Sequence, residues 1–306
     1  MEMLDLNGPT DQPETVRMVA GLAYDGAGYR GFASQEGFRT VAGDFGESFA
    51  KITSYQPKIV CAGRTDAGVH ALGQVIHFDF PSLYKYKNKY LLLQDKNPDT
   101  LTMLESWKRS LGKMLGPECS LFELAVGPQN FDARRSAIYR RYYYDINLSP
   151  YQDPRMRTLY WHVARDLDTY AMEVAASQLT GEHNFAAFCR RPSDSDRDLP
   201  IIRRVEYARF LQLEICGHTI LRFEIQANAF CHQMIRSIVG LLFAIGVGMM
   251  NKDSMREKID LATRDNMPSL APPQGLCLVE VGYPDELGGP RSLVRTLETW
   301  DKQEKP

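Results

Sequence analysis

The sequence predicts an α+β fold that is built around a mostly antiparallel sheet. Segments with strand character and segments with helical periodicity are interspersed without the regular alternation of a parallel βαβ fold. Two strand-like segments, 201–213 and 219–227, flank Gly217 as an antiparallel pair would. With 306 residues, 44% of them hydrophobic, the chain can bury a sizeable core and form about two domains of roughly 150 residues each.

The first part of the chain predicts a strand, a helix and two paired strands. Residues 17–24 have strand character. Apolar residues then recur at spacings of four, four and three from position 41, which predicts a helix with Thr40 as its N-cap. Short strands are predicted at 58–62 and 74–80, and a glycine-bounded turn joins them.

The following segment is less regular. Residues 81–100 are rich in tyrosine and lysine without a clear period, which predicts a loop. A helix is expected from about 102 to 115, because glycine and proline follow it. Strands are predicted at 121–126 and 137–146, and the second contains four tyrosines, a residue type enriched in strands.

The last part predicts three helices and two further strands. Residues 168–179 and 254–263 predict helices, and 231–250 is apolar nearly all round, as in a buried helix. A short strand is expected at 185–188 and a final strand at 276–281.

The expected organisation has four parts. Residues 1–15 are predicted to be a disordered leader and 291–306 a tail. Between them we expect an N-terminal α+β half at 16–150 and a C-terminal α+β half at 151–290, divided at a proline-bounded break.

Composition limits the function classes. The chain has 36 basic and 38 acidic residues and a net charge of −2, which excludes a uniformly basic, histone-like protein but leaves room for a local RNA-binding face. Its longest apolar run, 238–250, is shorter than the about 20 residues of a membrane span. Six scattered cysteines without a CxxC pair predict reduced, buried thiols, and the histidines form no metal motif. We expect a cytoplasmic protein that binds neither membrane nor metal.

The segment 61–70, Cys-Ala-Gly-Arg-Thr-Asp-Ala-Gly-Val-His, is the strongest candidate site. Gly63 and Gly68 bracket a polar core in which Arg64 would favour the ionised form of Asp66. An ionised carboxylate can act as a nucleophile or a base. An ordinary turn would also contain Gly and Asp. However, Arg, Thr and His on a loop between two strands favour a functional site over a simple connection.

The same segment, followed by Gly73-Gln74-Val75, resembles the catalytic motif of the TruA family of tRNA pseudouridine synthases. Ten or so residues matching in order is a specific signal. Further segments along the chain resemble the family's other motifs, so that the resemblance covers about residues 16–284. These segments are Tyr24-Asp25-Gly26, Phe131 to Ser136, Arg140-Arg141-Tyr142, Gly181 to Phe188 and Asn228 to Gly240.

The resemblance implies a fold and a reaction. The fold would be two similar halves around a continuous sheet, with helices on one face and the active-site cleft between the halves. The reaction would convert uridine to pseudouridine in the anticodon arm of tRNA, at positions 38 to 40, without a cofactor. The enzyme would be a homodimer. Asp66 would either add to C1′ of the target nucleotide or remove its 2′ proton, and the sequence leaves both routes open.

The resemblance also assigns site residues. Tyr142 would stack on the flipped uracil, although it could equally be one more core tyrosine. Arg236 would pair with Asp66, since a buried arginine needs a partner; the alternative is a structural salt bridge to another acid. Arg64 and Thr65 would contact the nucleotide, and Gly63 and Gly68 would provide the backbone geometry.

A basic stretch predicts where RNA would bind. Seven arginines but only two acids lie between positions 134 and 165, and Arg134, Arg140 and Arg141 are the candidate RNA contacts among them. Strand alternation places Arg140 and Tyr142 on one face and Arg141 on the other, so only part of this set can line the cleft.

Two other functions compete with this interpretation. A tRNA-binding or RNA-folding protein with little catalysis would not need Asp66, Tyr142 and Arg236 together. An unrelated glycosidase would need a second carboxylate on a motif of its own, and none is evident.

Overall fold

The computed structural model describes residues 14–191 and 199–290. One large mixed sheet contains strands from nearly the whole of this length. Its strands are β1 (Thr15–Tyr24), β2 (Val60–Cys61), β3 (His70–Pro81), β6 (Cys119–Gly127), β7 (Tyr139–Asn147), β8 (Trp161–His162), β9 (Gly181–Asn184), β10 (Ile202–Ile215), β11 (His218–Ala227) and β12 (Leu276–Gly282). A separate hairpin pairs β4 (Leu83–Tyr86) with β5 (Lys89–Leu92). The helices are α1 (Val41–Thr53), α2 (Pro98–Met114), α3 (Thr169–Ser177), α4 (Met234–Gly246) and α5 (Ser254–Leu261).

The strand order confirms the predicted α+β class with a mostly antiparallel sheet. The order is β6-β1-β3-β12-β7-β11-β10-β9, with β2 added to β3 and β8 to β7. Only the β12–β3 and β7–β8 pairs are parallel. β12, the last strand in the described part of the chain, therefore lies in the middle of the sheet between β3 and β7, and it brings early and late segments side by side.

The helices cover one face of this sheet through aromatic contacts. Phe49 of α1 and Trp107 of α2 both pack against Phe80 of β3, with ring centroids 5.6 and 5.5 Å from that ring. At the other end, Phe243 of α4 packs on Trp161, which in turn lies edge-on to Tyr144 of β7. These contacts fix which face of the sheet holds the core.

Several predicted elements are confirmed. The helix after Thr40 forms, and the Thr40 side chain accepts a hydrogen bond from Gly43 N as an N-cap. The β10–β11 hairpin turns at Gly217. The apolar helix predicted at 231–250 is the shorter α4, because Gln233 has a left-handed backbone (φ 63°) and delays its start.

Two secondary-structure predictions made from the sequence were wrong. Residues 81–100 contain the β4–β5 hairpin and the start of α2, rather than a loop. The alternation was hidden because leucines and a tyrosine occupy the exposed face of the hairpin beside lysines. The helix begins at Pro98 because Asn97 caps it. The strand predicted at 185–188 is instead a 3-10 turn after β9. Phe185 and Phe188 are fully buried there, so their apolar character reflects core packing and not a strand.

The leader and the tail lie outside the described residues, except for positions 14 and 15, the second of which begins β1. Within the described ranges, no helix is long and apolar enough to cross a membrane.

A close backbone approach ties α4 to the segment before β12. A Cβ added at Gly240 would lie 2.3 Å from the carbonyl oxygen of Ser269, a contact that side-chain movement cannot relieve. A Cβ at Gly112, in α2, would meet nothing within 4 Å. The two helical glycines therefore differ only in what surrounds them.

We expect Gly240→Ala to destabilise the protein by about 1–3 kcal/mol, because overpacking against backbone outweighs the better helix propensity of alanine. Gly112→Ala, the matched control, should be neutral or stabilise by up to about 1 kcal/mol. Urea unfolding of the two variants measures both values. Equal stability of the two would contradict the close approach of α4 to Ser269.

Candidate functional site

The loop between β2 and β3 carries the predicted Arg-Thr-Asp core. Arg64 is exposed, the Thr65 side chain is buried, and the Asp66 side chain keeps 23% of its surface accessible. The three neighbours thus have different surroundings, and Asp66 is the one that is both held by the protein and open to a ligand.

A hydrogen-bond network fixes this loop to strands β1 and β3 of the sheet. The Thr65 hydroxyl lies 2.8 Å from the hydroxyl of Tyr24, the last residue of β1. Gln74 of β3 donates to that hydroxyl at 3.3 Å and to the carbonyl of Gly63 at 2.7 Å. In addition, Phe32 N donates to the Thr65 carbonyl at 3.1 Å. Buried, satisfied networks of this kind are rigid, so Asp66 is held in one place.

The two bracketing glycines serve different purposes. Gly68 has φ +79°, and a Cβ there would come within 2.9 Å of the Pro273 side chain, so glycine is required. Gly63 has no such conformation. A Cβ there would lie 3.4 Å from the Tyr142 hydroxyl, and Gly63 therefore brings the loop backbone next to that tyrosine.

Asp66 and Arg236 form the expected ion pair. Arg236 therefore does not pair with some other acid, which was the alternative. Nη1 of Arg236 donates to Oδ2 of Asp66 at 2.9 Å across 170 residues of sequence. Nε of the same guanidinium donates to the carbonyl of Ala271 at 2.8 Å, while Ala271 N donates to the Arg236 carbonyl at 3.1 Å. The arginine is only 14% exposed, and its orientation is fixed at both ends.

His232 is a member of the site that the sequence analysis missed. Its Nε2 lies 3.4 Å from Oδ1 of Asp66, the oxygen that Arg236 does not bind. The turn at Gln233, with φ 63°, places it there just before α4. The available signal was its position four residues before Arg236, inside the segment 231–250 that was predicted as a helix, because residues four apart share one face of a helix.

Tyr142 lies beside Gly63 on the helix-covered face of the sheet. Its ring packs edge-on against Phe230 with the centroids 5.1 Å apart, and only 7% of the residue is exposed. Burial is the main cause that raises the pKa of this phenol far above its usual value, and the neighbouring Arg140 partly opposes it. Tyr142 therefore stays protonated and presents an apolar ring with a neutral hydroxyl.

Arg140 is buried and binds carbonyl oxygens of the protein itself. Its guanidinium donates to four of them, and burial lowers its pKa. The acceptors are Ala62 (3.1 Å), Asn228 (2.8 Å), Arg134 (2.5 Å) and Ala137 (3.1 Å). This residue ties the start of the β2–β3 loop to the segments before β7 and α4.

The other predicted RNA contacts lie in two places. Arg134 is exposed near the β2–β3 loop, at the turn where Asp132 Oδ1 accepts hydrogen bonds from the backbone of Arg134 and Arg135 at 2.8 Å each. Arg141 lies on the opposite face of the sheet, and its guanidinium pairs with Glu280 at 2.8 Å. The structure therefore brings Arg64, Arg134 and Arg140 to one side and leaves Arg141 on the other.

The cysteines differ from the prediction of six reduced, buried thiols. Cys189 and Cys231 are joined in a disulfide with Cα atoms 5.6 Å apart, although the chain has no CxxC pair. The bridge forms because the turn after β9 and the segment before α4 lie together. Of the remaining four, Cys216 is exposed. In the described part of the chain, no group of three or more potential ligands could hold a metal ion.

The loop therefore carries one carboxylate that an arginine holds and that stays partly accessible. Residues 175–284 match the family model described as tRNA pseudouridine synthase. That segment includes His232 and Arg236.

Relatives that extend over nearly the whole chain define the family. The "tRNA pseudouridine synthase A" of Frankia casuarinae is 36% identical over 280 residues, which cover 89% of this chain and 90% of that protein. The protein of the same name from Mycobacterium leprae is 34% identical and covers 95% and 98%, and that of Methylococcus capsulatus is 34% identical and covers 91% and 94%. The chain belongs to the tRNA pseudouridine synthase A family.

Tyr24→Phe tests whether the network below the loop matters for Asp66. The variant removes the hydroxyl between Thr65 and Gln74, so we expect it to cost about 1 kcal/mol of stability and to lower turnover about tenfold or more. Stability is measured by urea unfolding, and turnover by isomerisation of uridine in tRNA.

Tyr283→Phe is the control, because it loses a phenol hydrogen bond outside this network, to the Ala133 carbonyl at 2.7 Å. It should lose similar stability and keep most of its turnover. If both variants lose turnover equally, the Tyr24 network has no specific role.

Proposed function

We propose that the protein isomerises uridine to pseudouridine in the anticodon arm of tRNA, at positions 38 to 40, with Asp66 as the catalytic carboxylate. Family membership supports the reaction. One observation carries the residue assignment: Asp66 is fixed by the loop and by Arg236, yet its carboxylate remains partly exposed.

The chemistry explains why one carboxylate suffices. The C1′–N1 bond breaks, uracil turns and C1′ bonds to C5; C5 then loses its proton and N1 takes one up, so the product is an isomer of uridine. Bond cleavage creates positive character at C1′, which a carboxylate can stabilise or capture. Arg236 holds Oδ2, so Oδ1 is the oxygen available to add to C1′ or to remove the 2′ proton, and the arrangement suits either route. The tight ion pair also keeps the carboxylate from turning away.

Retention of the detached uracil is the second requirement. Tyr142 and Phe230 form an apolar wall beside Gly63, on which a flipped base can stack while water is excluded. A protonated Tyr142 hydroxyl can also hydrogen-bond a uracil carbonyl. Tyr142 is therefore proposed to hold the base, not to exchange protons with it.

Exposed arginines around the loop are proposed to bind the RNA backbone. Arg64 and Arg134 are accessible and can donate bidentately to phosphate. Arg140 has its donors engaged with carbonyls and is proposed to position the loop from within. Thr65, whose hydroxyl faces Tyr24, is proposed to support the loop in the same way.

Asp66→Asn should abolish isomerisation, by about three orders of magnitude or more, because it removes the essential carboxylate while preserving shape. Tritium release from a tRNA transcript labelled at uridine C5 measures this, since the new bond at C5 expels that hydrogen. Transcripts with cytidine at positions 38, 39 and 40 should release none from the wild-type enzyme.

Asp79→Asn is the control, because Asp79 is exposed and pairs with Arg17 at 2.8 Å on β1. It should retain full activity. Turnover by Asp66→Asn would remove Asp66 from its role, and release from the cytidine transcripts would place the target elsewhere in the tRNA. If the wild type binds tRNA without releasing tritium, the RNA-binding alternative is supported.

We also propose that the protein is a cytoplasmic homodimer. The resemblance to the family supports the dimer, and the β4–β5 hairpin offers a surface for it. Leu83, Tyr90 and Leu92 lie on one face of that hairpin, according to its register, and are 52%, 68% and 38% exposed. Clustered apolar exposure of this kind marks interaction surfaces.

Sedimentation should therefore give a mass of twice 34.7 kDa, and the double variant Leu83→Lys, Tyr90→Lys should sediment as a monomer. Met249→Lys, at a site 77% exposed between α4 and α5, should remain dimeric. A monomeric wild type contradicts the dimer, and a dimeric double variant places the contact elsewhere.

A further inference from the structure

Two arginines outside the predicted basic stretch stand beside the catalytic cleft. Arg190 follows the 3-10 turn after β9, and Arg264 follows α5. Both are exposed, and among the described residues neither guanidinium pairs with an acid. This contrasts with the arginines of the opposite face, such as Arg222, which binds Asp145 through two hydrogen bonds of 2.8 Å.

The fold anchors both arginines to the entrance of α4. The backbone N of Arg190 donates to the carbonyl of His232 at 3.0 Å, and the disulfide between Cys189 and Cys231 secures the same two segments. Nη1 and Nη2 of Arg264 each lie 3.5 Å from the Ser237 hydroxyl, one turn into α4.

The two guanidiniums are near enough to affect each other. Burial and the charge of Arg190 both lower the pKa of Arg264. Like charges held close together are unfavourable until an anion binds between them. No side chain caps the N-terminus of α4, the positive end of a 13-residue helix, which adds to the local positive potential.

The two residues that anchor these arginines lie next to the contacts of Asp66. His232, whose carbonyl accepts the hydrogen bond from Arg190 N, has its Nε2 3.4 Å from Asp66. Ser237, which contacts Arg264, follows Arg236, the residue that donates to Asp66. An anion held here would therefore lie beside the residues that contact Asp66.

We propose that Arg190 and Arg264 together clamp a single phosphodiester of the RNA backbone next to the target uridine. This inference rests on the proposed function, because it assumes an RNA whose uridine reaches Asp66. A phosphodiester fits better than a carboxylate, since two planar guanidinium forks can share its two free oxygens. The clamp would fix the sugar of the target nucleotide, so that C1′ meets the carboxylate.

Salt dependence of tRNA binding tests the clamp independently of turnover. We would measure affinity for one tRNA transcript over a range of salt for Arg190→Gln, Arg264→Gln and the double variant. Each single variant should lose about tenfold in affinity. The slope of log K against log salt should become shallower by about 0.7–0.9, the contribution of one phosphate.

The double variant distinguishes one shared phosphate from two. With a shared phosphate, its slope should change by no more than that of a single variant, and the losses in affinity should be strongly non-additive. Arg209→Gln is the control, because Arg209 is exposed but pairs with Glu224 at 2.8 Å on the opposite face of the sheet. It should bind like the wild type.

Unchanged slopes in the single variants, or a doubled change in the double variant, would overturn the clamp. Circular dichroism of each variant confirms that it is folded. Tritium release by the wild type reports on the proposed function separately, so a failed clamp with intact turnover and a failed function give different results.

Discussion

The ion pair between Asp66 and Arg236 is the constraint on which the arrangement of the molecule depends. The two residues are 170 positions apart, and their 2.9 Å contact requires the β2–β3 loop to face the first turn of α4. That is possible because β12 enters the sheet between β3 and β7 and carries the segment with Ala271 and Pro273 to the same place. Removing one partner from a pair this poorly exposed leaves a charge without compensation, so fold and site stabilise each other.

Arginine has two distinct uses in this protein, and only the structure separates them. Arg140 and Arg134 belong to one basic stretch in the sequence, yet Arg140 is a buried tie among four carbonyls while Arg134 is open to solvent. A count of charges cannot distinguish the two residues, because the difference depends on which backbone carbonyls from other segments lie beside each guanidinium. The buried arginine still bears on the candidate site, since it holds Ala62 at the start of the β2–β3 loop.

Local signals in the sequence predicted what local interactions determine. The helix after Thr40, the β10–β11 hairpin and the glycine-bracketed loop follow from caps, periodicity and turn residues, and the family resemblance led to the pairing of Asp66 with Arg236. His232, Tyr24 and the Cys189–Cys231 bridge were missed because each depends on a contact between distant segments. The β4–β5 hairpin was missed for another reason: its exposed face is itself apolar, which removes the alternation expected of a half-buried strand.

The distribution of paired and unpaired arginines explains how a chain of net charge −2 can have uncompensated positive charge near Asp66. On the open face of the sheet, Arg141, Arg209 and Arg222 each bind a carboxylate, so their charge is compensated. In the described residues around the cleft, Arg64, Arg134, Arg190 and Arg264 have no such partner. Pairing, rather than composition, therefore sets the field that a polyanion meets. The Asp66–Arg236 pair is the reverse of those three pairs, because its carboxylate (23% exposed) is more accessible than its arginine (14% exposed).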